Sequence, residues 1–327
     1  MWRFMILVVW LQFSMTSSAA AQTVTAGPGQ PWPARPLRII VINAPGGLPD
    51  IAARVIGGNL SKPIGQPVVV ENRPGGGGNI AAAYVAKAAP DGHTLLLTGI
   101  NQAVNPTLLP NPGFDYDKDL APLSMVAEGN MLLLASPSLP ANNVAELVAL
   151  ARRKPGSISM AIAPIGSPNH IGAELLAQAA GIELVLVMYQ GIAPAMPDLM
   201  SGRVDLAIAA LGPGMPLVRN GKLKALAVTR LQRTELAPNI PTAAESGLPG
   251  FELNTWVCIM TTGGTPKPIQ ERLSAEIRKV LALAEVRDSF AKQGAEAAGS
   301  TPEELQAYIK AEALKWSIVL KNAKLKQ

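Results

Sequence analysis

Short β-branched runs alternate with amphipathic stretches along almost the whole chain, and this alternation limits the fold more than any other feature. A buried-strand run followed by a helical period is a βα unit, and a series of such units builds mostly parallel sheets flanked by helices. Strands are predicted over residues 37–42, 67–71 and 93–97, with helices over 50–60 and 79–89 between them. A Pro/Asn-rich connection over 101–122 leads into a second series. It has strands over 131–135, 157–161, 184–188, 204–209 and 223–228, and helices over 144–153, 169–180 and 193–201. After the Pro-rich stretch 238–249 come a strand over 251–260 and helices over 268–283, 285–293 and 302–321.

A chain of 327 residues exceeds what one hydrophobic core usually fills, so two lobes are expected. Pro-rich loops interrupt the alternation near 122 and 240, where a lobe boundary fits. Two crossings make the first lobe discontinuous: residues 22–122 with 241–327, and 123–240 for the second lobe. Residues 1–21 read as a secretory signal, with Arg3, the apolar stretch 4–13 and the small-residue pattern Ala19-Ala20-Ala21. Cleavage after Ala21 is expected, with export of the mature chain. The most apolar later segment, 175–188, is broken by Gln178 and Glu183, so no membrane span is expected there.

The net charge is +5, with Lys and Arg scattered and no aromatics interleaved, which argues against a nucleic-acid partner. Cys258 sits in an apolar run and reads as a core thiol. His93 and His170 are the only histidines, so neither a metal site nor a nucleophile–base pair can be assembled. No catalysis, metal or cofactor is expected.

Two stretches have the form of an anion site. The first is a Gly-rich turn between a strand and a helix, containing Asn43, Gly46, Gly47, Leu48, Pro49 and Asp50. Free N–H groups at a helix start attract anions; an ordinary tight turn with Asp50 as N-cap fits the same residues. The second, with Gly166, Ser167, Asn169 and His170, repeats the geometry, and Ser167 or Asn169 can equally cap the helix. The run Gly75-Gly76-Gly77-Gly78 lacks the third glycine of a dinucleotide loop and the Lys of a phosphate loop, and reads as a flexible turn.

At these residues the chain resembles the substrate-binding proteins of tripartite tricarboxylate transporters, the Bug or TctC family. The resemblance rests on Pro45-Gly46-Gly47 with Asp50 and Arg54, the run from Pro67 through Asn72-Arg73-Pro74-Gly75, and Ala89-Pro90-Asp91-Gly92. It continues through Gly166-Ser167 with His170, Tyr189 with Gly191 and Ala193-Pro194, Gly247-Leu248-Pro249-Gly250 and Gly264-Thr265-Pro266. The resemblance implies an α/β, two-lobed periplasmic-binding-protein fold of type 2-like form, with mixed sheets flanked by helices and a ligand cleft between lobes. It implies a small carboxylate as ligand, captured by hinged closure, and transient membrane permease subunits as partners of a monomer. Carried over residue by residue, Gly46, Gly47, Asp50, Ser167, His170, Tyr189, Gly191 and Ala193 line the cleft. The chain departs from the family pattern at Ile42-Asn43, Leu48-Pro49, Gln190 and Ala209-Ala210, which bears on the ligand rather than the fold. A ligand-sensing partner of a membrane signalling protein uses the same pocket physics and stays open at this point; an enzyme is disfavoured.

Overall fold

The computed structural model describes residues 25–27, 30–109, 111–163 and 167–322. The expected signal sequence and Gly166 lie outside the described residues. The chain begins with strands β1 (Thr25–Gly27) and β2 (Gln30–Pro31), then β3 (Leu37–Val41), α1 (Leu48–Ile64), β4 (Val68–Asn72), a 3₁₀ turn (Gly76–Gly78), α2 (Asn79–Ala86) and β5 (Thr94–Gly99). Next come α3 (Asn101–Leu108), β6 (Leu120–Gly129), β7 (Met131–Ala135), α4 (Val144–Arg153), β8 (Ile158–Ile162), α5 (Pro168–Ala180), β9 (Leu184–Met188) and α6 (Ile192–Ser201). The remainder is β10 (Leu206–Ala210), α7 (Leu211–Arg219), β11 (Lys224–Val228), β12 (Thr255–Thr262), α8 (Lys267–Leu281), α9 (Ala284–Ala291), β13 (Ala295–Ala297) and α10 (Pro302–Asn322).

These strands form two mixed sheets besides the β1–β2 ribbon. One has the order β13-β6-β12-β5-β3-β4 and the other β11-β7-β10-β8-β9. In the first, β3 runs parallel to β4 and β5, while β12 is antiparallel to both β5 and β6. In the second, β8 is parallel to β9 and β10, and β7 is antiparallel to β10 and β11.

The apolar runs in the sequence are explained by burial on both faces of each sheet. Along β3, Ile39 and Val41 pack with Ala52, Ala53, Ile56 and Leu60 of α1 and with Ile269, Leu273 and Ile277 of α8. Ile40, pointing the other way, joins Ala81 and Val85 of α2 and Leu305 and Trp316 of α10. That second core continues through Leu248, Phe251 and Leu253 into α4 and α5, so apolar packing runs from one sheet to the other. Cys258 is fully buried on β12, and burial pushes its thiol pKa up, as suits a core thiol.

Three elements depart from expectation. The 101–122 connection contains α3 and the start of β6, because Gln102, Ala103, Val104 and Asn105 are buried despite Pro106. The helix α7 follows β10 directly; its run Gly212-Pro213-Gly214 suggests a turn, yet a proline in a first turn forfeits no hydrogen bond there. The predicted strand over 251–260 begins only at Thr255, since 251–254 passes between the sheets. The expected crossing near 122 falls inside β6, which stays in the first sheet up to Gly129; the chain changes sheet at Asn130.

Candidate functional site

Register places the two sets of helix starts opposite each other. Since β6 is antiparallel to β12 and β12 to β5, β6 runs in the direction of β3, and Gly129 ends at the carboxyl edge of the first sheet. Met131, one residue beyond Asn130, pairs with Ala210, the last residue of β10, at the carboxyl edge of the second sheet. The return passage leaves from Val228, which pairs with Leu132, and enters at Thr255, which pairs with Gly129. Both crossings therefore join carboxyl edge to carboxyl edge. The starts of α1 and α3 on one sheet face those of α5, α6 and α7 on the other, the position at which open α/β sheets bind ligands.

The first loop is held from within. The N-cap of α1 is Gly47, and Asp50, expected as the cap, is instead the third helical residue. Its buried carboxylate reaches back to accept from the N–H of Gly46 at 3.0 Å, from Asn72 Nδ2 at 3.0 Å and from Arg54 at 2.9 Å. The N-cap Gly47 has no side chain to cap with, so the loop is closed by the carboxylate of Asp50 rather than by a capping hydroxyl. Burial alone raises the Asp50 pKa, but the bonds from Arg54, Gly46 and Asn72 together outweigh it and hold the group below its ordinary value. Gly46 has φ +96°, in the region where a side chain is strained. Asn43 and Gly47 are exposed, and the carbonyl of Asn43 accepts from Asn72. Leu48 and Pro49 are half-buried, and Leu48 packs beside Gly129 at the crossing.

On the second sheet Ser167 caps α5, its hydroxyl accepting from the N–H of His170 at 3.3 Å. Asn169 is buried and donates to the carbonyl of Ile208 at 2.5 Å, tying α5 to β10. His170 is also buried, 3.8 Å from Glu174, and burial lowers its pKa, so the imidazole is neutral near pH 7. Tyr189 donates its hydroxyl to Asp198 at 2.8 Å; burial and that carboxylate raise its pKa. Gly191 caps α6 in an extended conformation, and Ala193 is exposed in the first turn. Thus Asn43, Gly46, Gly47, Leu48 and Pro49 gather at the start of α1, Ser167, Asn169 and His170 at the start of α5, and Tyr189, Gly191 and Ala193 at that of α6. Replacing Ser167 by alanine is expected to lower stability by about 0.5–2 kcal/mol through loss of the cap. A melting curve checks it, and an unchanged midpoint would show that the hydroxyl caps nothing.

The crossing itself carries residues that sequence reasoning missed. Asn130 is buried; its N–H donates to the carbonyl of Gly294 at 3.0 Å and its carbonyl accepts from Leu211 at 2.8 Å. Arg230 donates to Asn130 Oδ1 at 3.0 Å and pairs with Glu128 at 3.0 Å and Glu296 at 3.2 Å. Thr229 bonds both passages, donating its hydroxyl to the carbonyl of Leu253 at 2.6 Å and its N–H to that of Met131 at 3.0 Å. Each partner comes from a distant stretch of chain, so no local motif signals the group. A cavity of about 520 Å³ lies among Gln102 of α3, Phe114, Tyr116, Met260 and Ile309; none of the residues named above at the starts of α1, α5 and α6 lines it.

The profile of the tripartite tricarboxylate transporter family receptor matches residues 52–325. This chain belongs to that family. The receptor is 36% identical over 299 residues to protein BugT of Bordetella pertussis, spanning 90% of this chain and 92% of BugT. Among solved structures it is similar to R. palustris Rpa4515 with adipate, at 35% identity and a TM-score of 0.80, covering 89% of this chain and 98% of that one. It is also similar to MatC from Rhodopseudomonas palustris with bound malate, at 32% identity and a TM-score of 0.77, covering 88% and 100%. The expected fold class holds: the receptor has the two-lobed periplasmic-binding-protein architecture.

Proposed function

We propose that this protein is a periplasmic receptor that holds a small carboxylate between its two lobes and hands it to a membrane permease. The lobes follow the sheets, the first built on β3–β6 and β12–β13 and the second on β7–β11. The observation that carries the reading is the meeting of three helix starts at facing carboxyl edges. There the N–H groups of Gly47, Leu48, Asn169, Ile192 and Ala193 have no backbone acceptor among the described residues. Such groups, with the positive ends of the helix dipoles, suit an anion. Adipate and malate, bound by the two relatives, are both carboxylates.

The neighbouring cations are already engaged, Arg54 with Asp50 and Arg73 with Glu71 and the ring of Tyr84. Ligand charge is therefore met by backbone N–H groups and hydroxyls, and affinity depends weakly on salt. Leu48 and Pro49 give the first loop an apolar surface, so the longer methylene chain of adipate is preferred over the hydroxylated malate, each buried methylene contributing roughly 0.8 kcal/mol.

The test is calorimetric titration of the chain with adipate, malate and a wider carboxylate series at 50 and 500 mM salt. Expected are saturable binding of at least one acid, tighter binding of adipate than malate, and less than tenfold change with salt. No binding across the series overturns the function. Tighter binding of malate overturns the role given to Leu48, and a larger salt effect that of the backbone donors.

A further inference from the structure

The last helix is apolar on two opposite faces. Leu305, Ile309, Trp316 and Leu320 of α10 are buried in the core. Turned away from them, Ala307, Ala311, Leu314 and Ile318 are all exposed, Leu314 at 66% and Ile318 at 56%. Their spacing alternates four and three residues, the repeat of a coiled-coil seam. A helix that only covers its own core needs one apolar face, and the second has no cover among the described residues.

We propose that this face pairs with the same face of a second copy of this chain, the two α10 helices lying antiparallel about a two-fold axis. A two-fold passing between residues 312 and 313 sets Ala307 against Ile318 of the second copy and Ala311 against its Leu314. Each large side chain then meets a small one, and the seam packs at uniform depth. A parallel pair sets alanine on alanine and isoleucine on isoleucine, leaving a gap at one end and a bulge at the other. Lys315, next to the seam, is occupied by Glu252 and Glu312, and Lys310 flanks the seam towards Ser317 of the second copy. Such a contact is isologous, and it closes without forming filaments.

The area is modest. A helix of 21 residues is about 30 Å long, and one stripe of it covers on the order of 400 Å² per copy, about half of what a standard interface buries. The dimer is thus a weak one, forming at high local concentration, in contrast to the monomer expected from sequence.

Sedimentation of the full chain from micromolar to millimolar concentration reads the first consequence, and cysteine cross-linking the second. Expected is a mass that rises towards a dimer with concentration, and that stays at monomer for the exposed-face variants Leu314→Glu and Ile318→Lys. Oxidation of a mixture of A311C and L314C chains is expected to give a cross-linked dimer, with at least fivefold more product than either variant alone. The native Cys258 is buried and does not interfere. A monomer throughout the concentration range, a dimer that survives Leu314→Glu, or cross-linking of A311C alone as strong as in the mixture would each overturn the proposal.

Discussion

A Gly212→Ala variant is expected to melt a few degrees below the parent, a large effect for one methyl group. A Cβ at Gly212 would lie 2.4 Å from the carbonyl carbon of Gln293, 2.5 Å from its oxygen and 2.8 Å from the nitrogen of Gly294. All three are backbone atoms, so no side chain can swing aside to make room. Gly212 starts α7 on the second sheet, whereas Gln293 and Gly294 form the turn before β13 on the first. The approach is therefore between the lobes, and it lies against Asn130, whose N–H and carbonyl bind Gly294 and Leu211 on either side. Overpacking of this kind costs about 1–3 kcal/mol, and for a chain of this size each kcal/mol lowers Tm by roughly 1.5 °C. Because the added methyl wedges the lobes apart beside the crossing, carboxylate affinity should also move. Gly58→Ala is the control: it sits in α1 with nothing within 4 Å, where alanine should be neutral or stabilising. If Gly212→Ala melts with the parent and binds as the parent does, the lobes do not meet at this edge.

The same region marks the limit of what the sequence reveals. Strands such as β3 and β9 were legible because five-residue apolar runs bounded by turn residues have few other folded uses, and register then follows from the parallel βα order. A cap at Ser167 or Asn169 was legible for the same local reason, and the fold assigns it to Ser167. Asp50 was not: the sequence places it at a helix start, but only the fold shows Gly47 as the N-cap, Pro49 inside the first turn and Asn72 arriving from β4 to share the carboxylate. Asn130, Arg230 and Glu296 were invisible as a group, since they meet across separations of 66 to 166 residues. α7 was hidden by composition, its glycines and prolines marking a close approach between lobes rather than a turn.

Asp50→Ala should be the most damaging single change at the first loop, lowering both stability and affinity. The carboxylate is 4% exposed and joins Gly46, Asn72 and Arg54. Hydrogen bonds to a charged group contribute about 1.5–3 kcal/mol, less than additively when they share one acceptor. Arg54 is half exposed and can be rehydrated, so the loss stays near about 2–3 kcal/mol rather than the larger penalty of a stranded buried charge. Without the tether, the Gly46 N–H loses its acceptor and the turn that presents the free N–H groups of Gly47 and Leu48 is no longer held; if these groups bind the ligand as proposed, affinity should fall at least tenfold. Asp50→Asn keeps the shape and one acceptor but gives up the ion pair, and should lie between the two. The sign with pH follows from the lowered pKa: the folded chain holds Asp50 ionised below the ordinary value of 3.8. Its contribution is thus complete above that value and is lost as pH falls through the folded pKa. Chemical denaturation of parent and Asp50→Asn from pH 7 down to pH 2 should accordingly give curves that converge on the acid side. Parallel curves would mean that Asp50 carries no charge-dependent stability, and an Asp50→Ala variant with parental affinity would remove the loop from the binding site.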